Sequence, residues 1–145
     1  MKLYLLLADD DIDDCAFFGE MLNELPYDAT LRIVNDGVHL MNFLLAKPEN
    51  FPNIIFLDLN MPRKNGIECV SEIKSNEILK HIPIVIYSTS LDMDVVKALY
   101  EKGVNYYIRK PAEFSVLKSH INKVLSLCIN KDFISPTIEQ FVIEA

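Results

Sequence analysis

The residues best suited to chemistry stand directly after short apolar runs of the sequence. Residues 9–11 are all aspartate and follow the first run, while Asp58 follows the third. Ser88 and Ser90 stand at the end of the fourth run, and Lys110 closely follows the fifth. Carboxylates bind hard divalent cations, and an ammonium or a hydroxyl group can stabilise a phosphoryl group in transfer. These residue types therefore indicate phosphoryl chemistry assisted by a cation.

The apolar runs alternate with segments whose apolar residues recur at the helical period. Such alternation is typical of an α/β protein in which crossover helices cover both faces of a parallel sheet. We therefore predict a doubly wound, flavodoxin-like sheet of five parallel strands, with strand order 2-1-3-4-5. The predicted strands occupy residues 3–8, 30–34, 54–57, 82–87 and 105–108. Since parallel strands end at the same edge, this fold would bring the polar residues together.

Two explanations compete for the aspartates near the N-terminus. Asp11, Asp13 and Asp14 fit the start of a helix, where carboxylates accept hydrogen bonds from free backbone N–H groups. Asp9 and Asp10 fit that explanation poorly, because they would leave a buried strand and face the acid that ends the third strand. Two carboxylates about 4 Å apart repel each other by roughly 4 kcal/mol at an effective dielectric constant of about 20.

A bound cation would remove this repulsion. Two or three carboxylates with water suit Mg²⁺, and no sequence typical of a calcium loop is present. The Asp58 carboxylate could then attack phosphorus and form an acyl phosphate. The cation on Asp9 and Asp10, the Lys110 ammonium and the Ser88 hydroxyl would compensate the charge on the phosphoryl oxygens.

Composition and length restrict the remaining possibilities. The 145 residues suffice for one domain, half of them are hydrophobic, and the net charge of −7 argues against nucleic acid as a partner. No apolar run is long enough to cross a membrane and no signal peptide is recognised, so we expect a cytoplasmic protein with reduced cysteines.

We assign residues 1–128 to one domain and 129–145 to a tail. Ser135-Pro136 could start a short helix there, as a strap or a self-association element, with apolar side chains at Ile138, Phe141 and Val142.

Four segments closely resemble one known family. Residues 5–11, 56–66, 83–90 and 105–111 are similar to the receiver domains of bacterial response regulators of the chemotaxis type. The pattern D-x-x-M-P-x-x-x-G at 58–66 is specific to that family. Its combination with the acid pair Asp9-Asp10 and with Lys110-Pro111 is more specific still. The resemblance covers residues 2–128 and implies a single-domain response regulator of a two-component system.

The resemblance also implies a role for each acidic residue. Asp58 would be the phosphoacceptor. Asp10, Asp58 and the backbone carbonyl of Asn60 would bind Mg²⁺, with Mn²⁺ as a substitute, and Asp9 would reach the cation mainly through water. Asn60 and Ser90 would tune the lifetime of the acyl phosphate by controlling the access of water.

The resemblance further implies a switch. Ser88 would move toward the phosphoryl group, Tyr107 would turn inward behind it, and Lys110 would contact the phosphoryl oxygens. Tyr107 is also explained as an ordinary aromatic residue of a strand. The bond between Lys110 and Pro111 would be a cis peptide, which proline permits at low cost.

The implied partners are proteins. A sensor histidine kinase or a histidine phosphotransfer protein would supply the phosphoryl group, and output would pass through residues 92–102, 105–108 and 112–127 to a downstream target or a second copy. We expect neither a DNA-binding domain nor a turnover enzyme. Alternatives are a relay that passes phosphate onward, a receiver-like scaffold, a flavodoxin-like cofactor binder, and a haloacid-dehalogenase-like hydrolase. The hydrolase would need an acid where Asn60 stands, and the cofactor binder would need a phosphate-binding loop instead of the acids at 9–14.

Overall fold

One parallel sheet organises the molecule. The computed structural model describes residues 2–111, 113–129 and 135–143. Its strands and helices are β1 (Lys2–Ala8), α1 (Ile12–Asn23), β2 (Asp28–Val34), α2 (Gly37–Leu45), β3 (Ile54–Leu57), α3 (Gly66–Lys74), β4 (Ile84–Ser88), α4 (Met93–Glu101), β5 (Tyr106–Arg109), α5 (Phe114–Cys128), α6 (Ile138–Phe141) and β6 (Val142–Ile143). Among these residues, no helix combines the length and the apolar character that crossing a bilayer requires.

The sheet has helices on both faces, as predicted. Apolar side chains of α1 and α5 pack on one face, and those of α2, α3 and α4 pack on the other. Every residue of β3 and β4 is buried, because these strands lie in the middle of the sheet. The apolar runs at 54–57 and 82–87 therefore correspond to central strands covered on both sides. The run at 30–34 belongs to β2, an edge strand in which no residue is fully buried.

The predicted number of strands was too small by one. The strand order is β2-β1-β3-β4-β5-β6, so the predicted 2-1-3-4-5 order is present with one strand added at the edge. The added strand is parallel to β5, with Tyr107 paired with Val142 and Ile108 with Ile143. A strand of two residues has no periodicity to reveal it, and its pairing is between segments far apart in the chain.

The tail contains a short helix, α6, which begins at Ile138 with Thr137 as its N-cap and not at Ser135-Pro136. Phe141 at its end is fully buried, whereas Val142 belongs to the strand and not to the helix. The remainder of the predicted tail, at 130–134 and 144–145, lies outside the described residues, as does residue 112 of the predicted output segment.

A tight loop follows β3 and leads into α3. Asn65 caps α3 in a reciprocal capping box, accepting from the Glu68 N–H at 2.9 Å while the Glu68 carboxylate accepts from the Asn65 N–H at 3.1 Å. The Gly66 N–H donates to the Leu59 carbonyl at 2.9 Å. A Cβ atom at Gly66 would lie 2.4 Å from the carbonyl oxygen of Asp58. This glycine therefore lets helix α3 begin directly against the backbone that carries Asp58.

We expect Gly66→Ala to destabilise the protein and Gly19→Ala to stabilise it. The methyl group at Gly66 would force the loop apart at a cost of about 1–3 kcal/mol. Gly19 lies inside α1 with its nearest contact at 4.0 Å, so alanine there should add about 0.5–1 kcal/mol through helix propensity. Urea unfolding of the two variants measures both effects. Equal stability of the two variants would contradict the close contact at Gly66.

Candidate functional site

The ends of four strands meet at one edge of the sheet. Asp9 follows β1, Asp58 follows β3, Ser88 ends β4 and Lys110 follows β5. Backbone hydrogen bonds connect the ends directly: the Asp58 N–H donates to the Ala8 carbonyl at 2.9 Å and the Lys110 N–H to the Ser88 carbonyl at 2.8 Å. The sheet thus brings together the residues that the sequence predicted to meet.

Three carboxylates form the acidic part of the site. One carboxylate oxygen from each of Asp9, Asp10 and Asp58 lies within 4.8 Å of the others. Asp9 and Asp58 are buried, whereas Asp10 is exposed. Burial raises the pKa of the Asp9 carboxyl to about 6, and the Asp58 charge adds to this rise, although hydrogen bonds from Lys110 and the Asp11 N–H oppose it.

The carboxylates fit a hard divalent cation. Oxygen ligands from two or three carboxylates with open positions for water are the arrangement that Mg²⁺ prefers. Both oxygens of Asp9 already accept a hydrogen bond, Oδ2 from Lys110 at 2.7 Å and Oδ1 from the Asp11 N–H at 3.0 Å. Asp58 Oδ1 accepts only a longer hydrogen bond, from the Asn60 N–H at 3.3 Å, so Asp58 is more open to a cation than Asp9.

Lys110 provides the positive charge of the site. Its Nζ lies 2.7 Å from Asp9 Oδ2, 2.9 Å from Asp14 Oδ2 and 3.5 Å from Asp58 Oδ2. It also lies 4.7 Å from the centre of the Tyr87 ring. Burial alone would lower the pKa of Lys110, but its hydrogen bonds with Asp9 and Asp14 and the charge of Asp58 raise it overall. The ammonium group therefore stays charged at neutral pH.

Hydroxyl groups border the site on the β4 side. Ser88 is fully buried, and its Oγ lies 3.1 Å from the Ser90 Oγ. The Tyr107 hydroxyl donates a hydrogen bond to the Ser90 carbonyl, and the Tyr107 side chain is completely buried. Burial raises the pKa of Tyr107, so this hydroxyl keeps its proton. Exposed Asn60 and Ser90 line one cavity of about 410 Å³ together with Tyr107.

The predicted cis peptide at Pro111 is wrong in this structure. All peptide bonds among the described residues are trans, including the one between Lys110 and Pro111. The trans form of a bond before proline is favoured by about 0.5–1 kcal/mol. With the bond in that form, Lys110 contacts Asp9, Asp14 and Asp58.

Two residues of the site were missed by reasoning from the sequence. Asp14 was attributed to helix capping, yet its carboxylate binds Lys110, and it is Asp11 that caps α1. Asn35, directly after β2, donates its side-chain N–H to the Asp9 carbonyl at 3.0 Å. The position of Asn35 directly after the second strand is the signal in the sequence that indicates it.

Comparisons with known proteins agree with this arrangement. The family model described as "Response regulator receiver domain" matches residues 5–122. Response regulator Rcp1 of Synechocystis is 42% identical over 110 residues, covering 73% of this chain and 75% of its own. Chemotaxis protein CheY1 of Helicobacter pylori is 31% identical over 121 residues, which is 83% of this chain and 95% of that protein.

Solved structures give the same result. The Mn²⁺-bound form of Rcp1 has a TM-score of 0.79 at 35% identity and covers 93% of this chain and 99% of its own. The phosphorylated cyanobacterial phytochrome response regulator RcpA has a TM-score of 0.82 at 31% identity and covers 94% of this chain and 100% of its own. From the family match, these relatives and the shared fold, we conclude that this chain belongs to the response regulator receiver domain family.

Proposed function

We propose that the protein accepts a phosphoryl group on Asp58 in a reaction that needs a divalent cation. The convergence of Asp58 with the acid pair and the Lys110 ammonium is the observation on which this proposal rests. An Asp58 carboxylate oxygen forms a bond to phosphorus while the bond from phosphorus to the donor's nitrogen or oxygen breaks. The donor atom leaves with the electron pair, and Asp58 becomes an acyl phosphate.

The cation supplies charge compensation when it is bound. Asp10, Asp58 and the Asn60 carbonyl would hold it as Mg²⁺ or Mn²⁺. The solved Mn²⁺-bound form of the similar protein Rcp1 supports a divalent cation. Asp9 and Asp14 would hold the Lys110 ammonium group beside Asp58, where it could contact the phosphoryl oxygens. Ser88 would contribute a hydrogen bond to a further oxygen, while Asn60 and Ser90 would influence the entry of water through the adjacent cavity.

The protein would act as a switch between protein partners, without steady turnover. A histidine kinase or histidine phosphotransfer protein would be the donor, since a phosphohistidine supplies a phosphoryl group through a P–N bond. The added charge of roughly −1.5 to −2 would then change the surface formed by Met93–Glu101, Tyr106–Arg109 and the helix that follows. A downstream protein, a second copy or a relay acceptor would bind there. The three free cysteines fit the reducing cytoplasm as its location.

We expect Mg²⁺ to raise the melting temperature of the protein. Binding at ten times the dissociation constant adds about 1.4 kcal/mol, or about 3–6 °C for a chain of this size. Asp10→Asn should weaken the response because it removes one exposed ligand, whereas Asp28→Asn, an exposed acid at the start of β2, should keep it. Thermal unfolding with and without Mg²⁺ measures the shifts. The same shift in Asp10→Asn as in the unmodified protein would place the cation elsewhere.

The proposed reaction itself is tested with acetyl phosphate and Mg²⁺. Intact mass should show one added phosphoryl group in the unmodified protein and none in Asp58→Ala. The control variant Asp13→Ala, which changes an exposed acid in the first turn of α1, should also gain one phosphoryl group. Lys110→Ala should slow labelling by about 10²–10³-fold, as expected when a group that stabilises the transferred charge is lost. EDTA should suppress labelling. A phosphoryl group that persists in Asp58→Ala would show that another residue is the acceptor.

A further inference from the structure

Residues 135–143 form a C-terminal segment that contacts strand β5 and helix α4 at three places. Val142 and Ile143 pair with Tyr107 and Ile108 in the β5–β6 ladder. The Tyr100 hydroxyl of α4 donates a hydrogen bond to the Pro136 carbonyl at 3.0 Å. Phe141 is completely buried within the α4 side of the core. The segment is thus a packed part of the molecule, lying on the α4–β5 side.

Phe141 packs against two tyrosine rings. Its centroid is 5.3 Å from that of Tyr100 and 6.4 Å from that of Tyr107, with interplanar angles of 69° and 64°. Such edge-to-face pairs add about 0.5–1.5 kcal/mol beyond the burial of apolar area. Truncating Phe141 would leave a cavity beside the Tyr107 ring, into which that ring could turn.

Tyr107 in turn holds the loop that follows β4. Its hydroxyl donates to the Ser90 carbonyl, and the Ser90 hydroxyl and N–H lie 3.1 and 3.4 Å from the Ser88 Oγ. A continuous set of contacts therefore connects Phe141 to the buried Ser88 hydroxyl. If Tyr107 turned away, the loop would lose the hydrogen bond that fixes the Ser90 carbonyl.

We propose that Phe141 is a positioning residue that holds Tyr107 inward, and through Tyr107 holds Ser88 and Ser90 in place for the reaction at Asp58. This inference rests on the proposed function of Asp58 but concerns a segment beyond the matched family region of residues 5–122. The tail thereby sets the fraction of molecules whose β4–α4 loop is ready for phosphoryl transfer. A partner that displaced the tail from α4 would lower that fraction.

The first test is the initial rate of phosphorylation by acetyl phosphate with saturating Mg²⁺. Truncation should lower the fraction of molecules in which Tyr107 is turned inward. If that fraction falls to between a third and a tenth of its value in the unmodified protein, the rate of Phe141→Ala falls by about three- to tenfold. Phe141→Leu keeps an apolar side chain at this position, so its rate should decrease less. It replaces the alanine variant in the test if that variant unfolds. Ile138→Ala, on the partly exposed face of the same helix, should leave the rate unchanged.

A double-mutant cycle separates positioning from a general loss of stability. In a Tyr107→Ala background, Phe141→Ala should cause no further decrease in rate, because its effect passes through the Tyr107 ring. A further decrease of the same size in that background would overturn the proposal. Rates are compared per folded molecule, with folding checked by circular dichroism.

A second readout does not depend on phosphorylation. Among the six tyrosines labelled with 3-fluorotyrosine, the Tyr107 resonance is identified by its loss in Tyr107→Phe. Phe141→Ala should shift or broaden this ¹⁹F resonance, and Ile138→Ala should not. An unchanged Tyr107 resonance in Phe141→Ala would refute the positioning role even if Asp58 were phosphorylated. If acetyl phosphate failed to phosphorylate the protein, that result alone would refute only the function of Asp58.

Discussion

Mutual repulsion of carboxylates at one sheet edge, opposed by one buried ammonium group, is the constraint on which the site depends. Asp9, Asp10 and Asp58 place oxygens within 4.8 Å of one another, and the raised pKa of Asp9 reflects burial with an added contribution from Asp58. Lys110 contacts Asp9, Asp14 and Asp58 but carries a single charge. The cluster therefore retains excess negative charge that a divalent cation can neutralise.

The fold resists this repulsion because the acids stand on buried strands. Strands β1 and β3 are parallel neighbours whose register pairs Ala8 with Leu57, so Asp9 and Asp58 leave the sheet side by side. On one side Gly66 allows α3 to begin against the Asp58 backbone, and on the other Lys110 is tied by its N–H to β4. In the proposed switch, a change of charge at Asp58 would move the loops that follow the strands and leave the strands in place.

Much of this arrangement could be predicted from the sequence, because its causes are local. Continuous apolar runs indicate central parallel strands, and parallel strands bring Asp9, Asp58 and Lys110 to one edge. The sixth strand could not be predicted in this way, since Val142 and Ile143 are recognisable as a strand only through their pairing with distant β5. Asp14 was assigned to capping because one residue type serves two roles at a helix start, and only the position of Lys110 distinguishes them. The isomer before Pro111 depends on small differences in energy that no local pattern reveals.

The proposed reaction depends on one hydrated divalent cation that Asp10 and Asp58 would hold at this edge of the sheet, close to Lys110. Anomalous diffraction from crystals grown with Mn²⁺ tests it most directly. If the cation binds there, one strong peak should lie within about 2.5 Å of carboxylate oxygens of Asp10 and Asp58 and of the Asn60 carbonyl, with Lys110 still bound to Asp9. A peak at a different group of acids, or none at this edge at a saturating Mn²⁺ concentration, would contradict it.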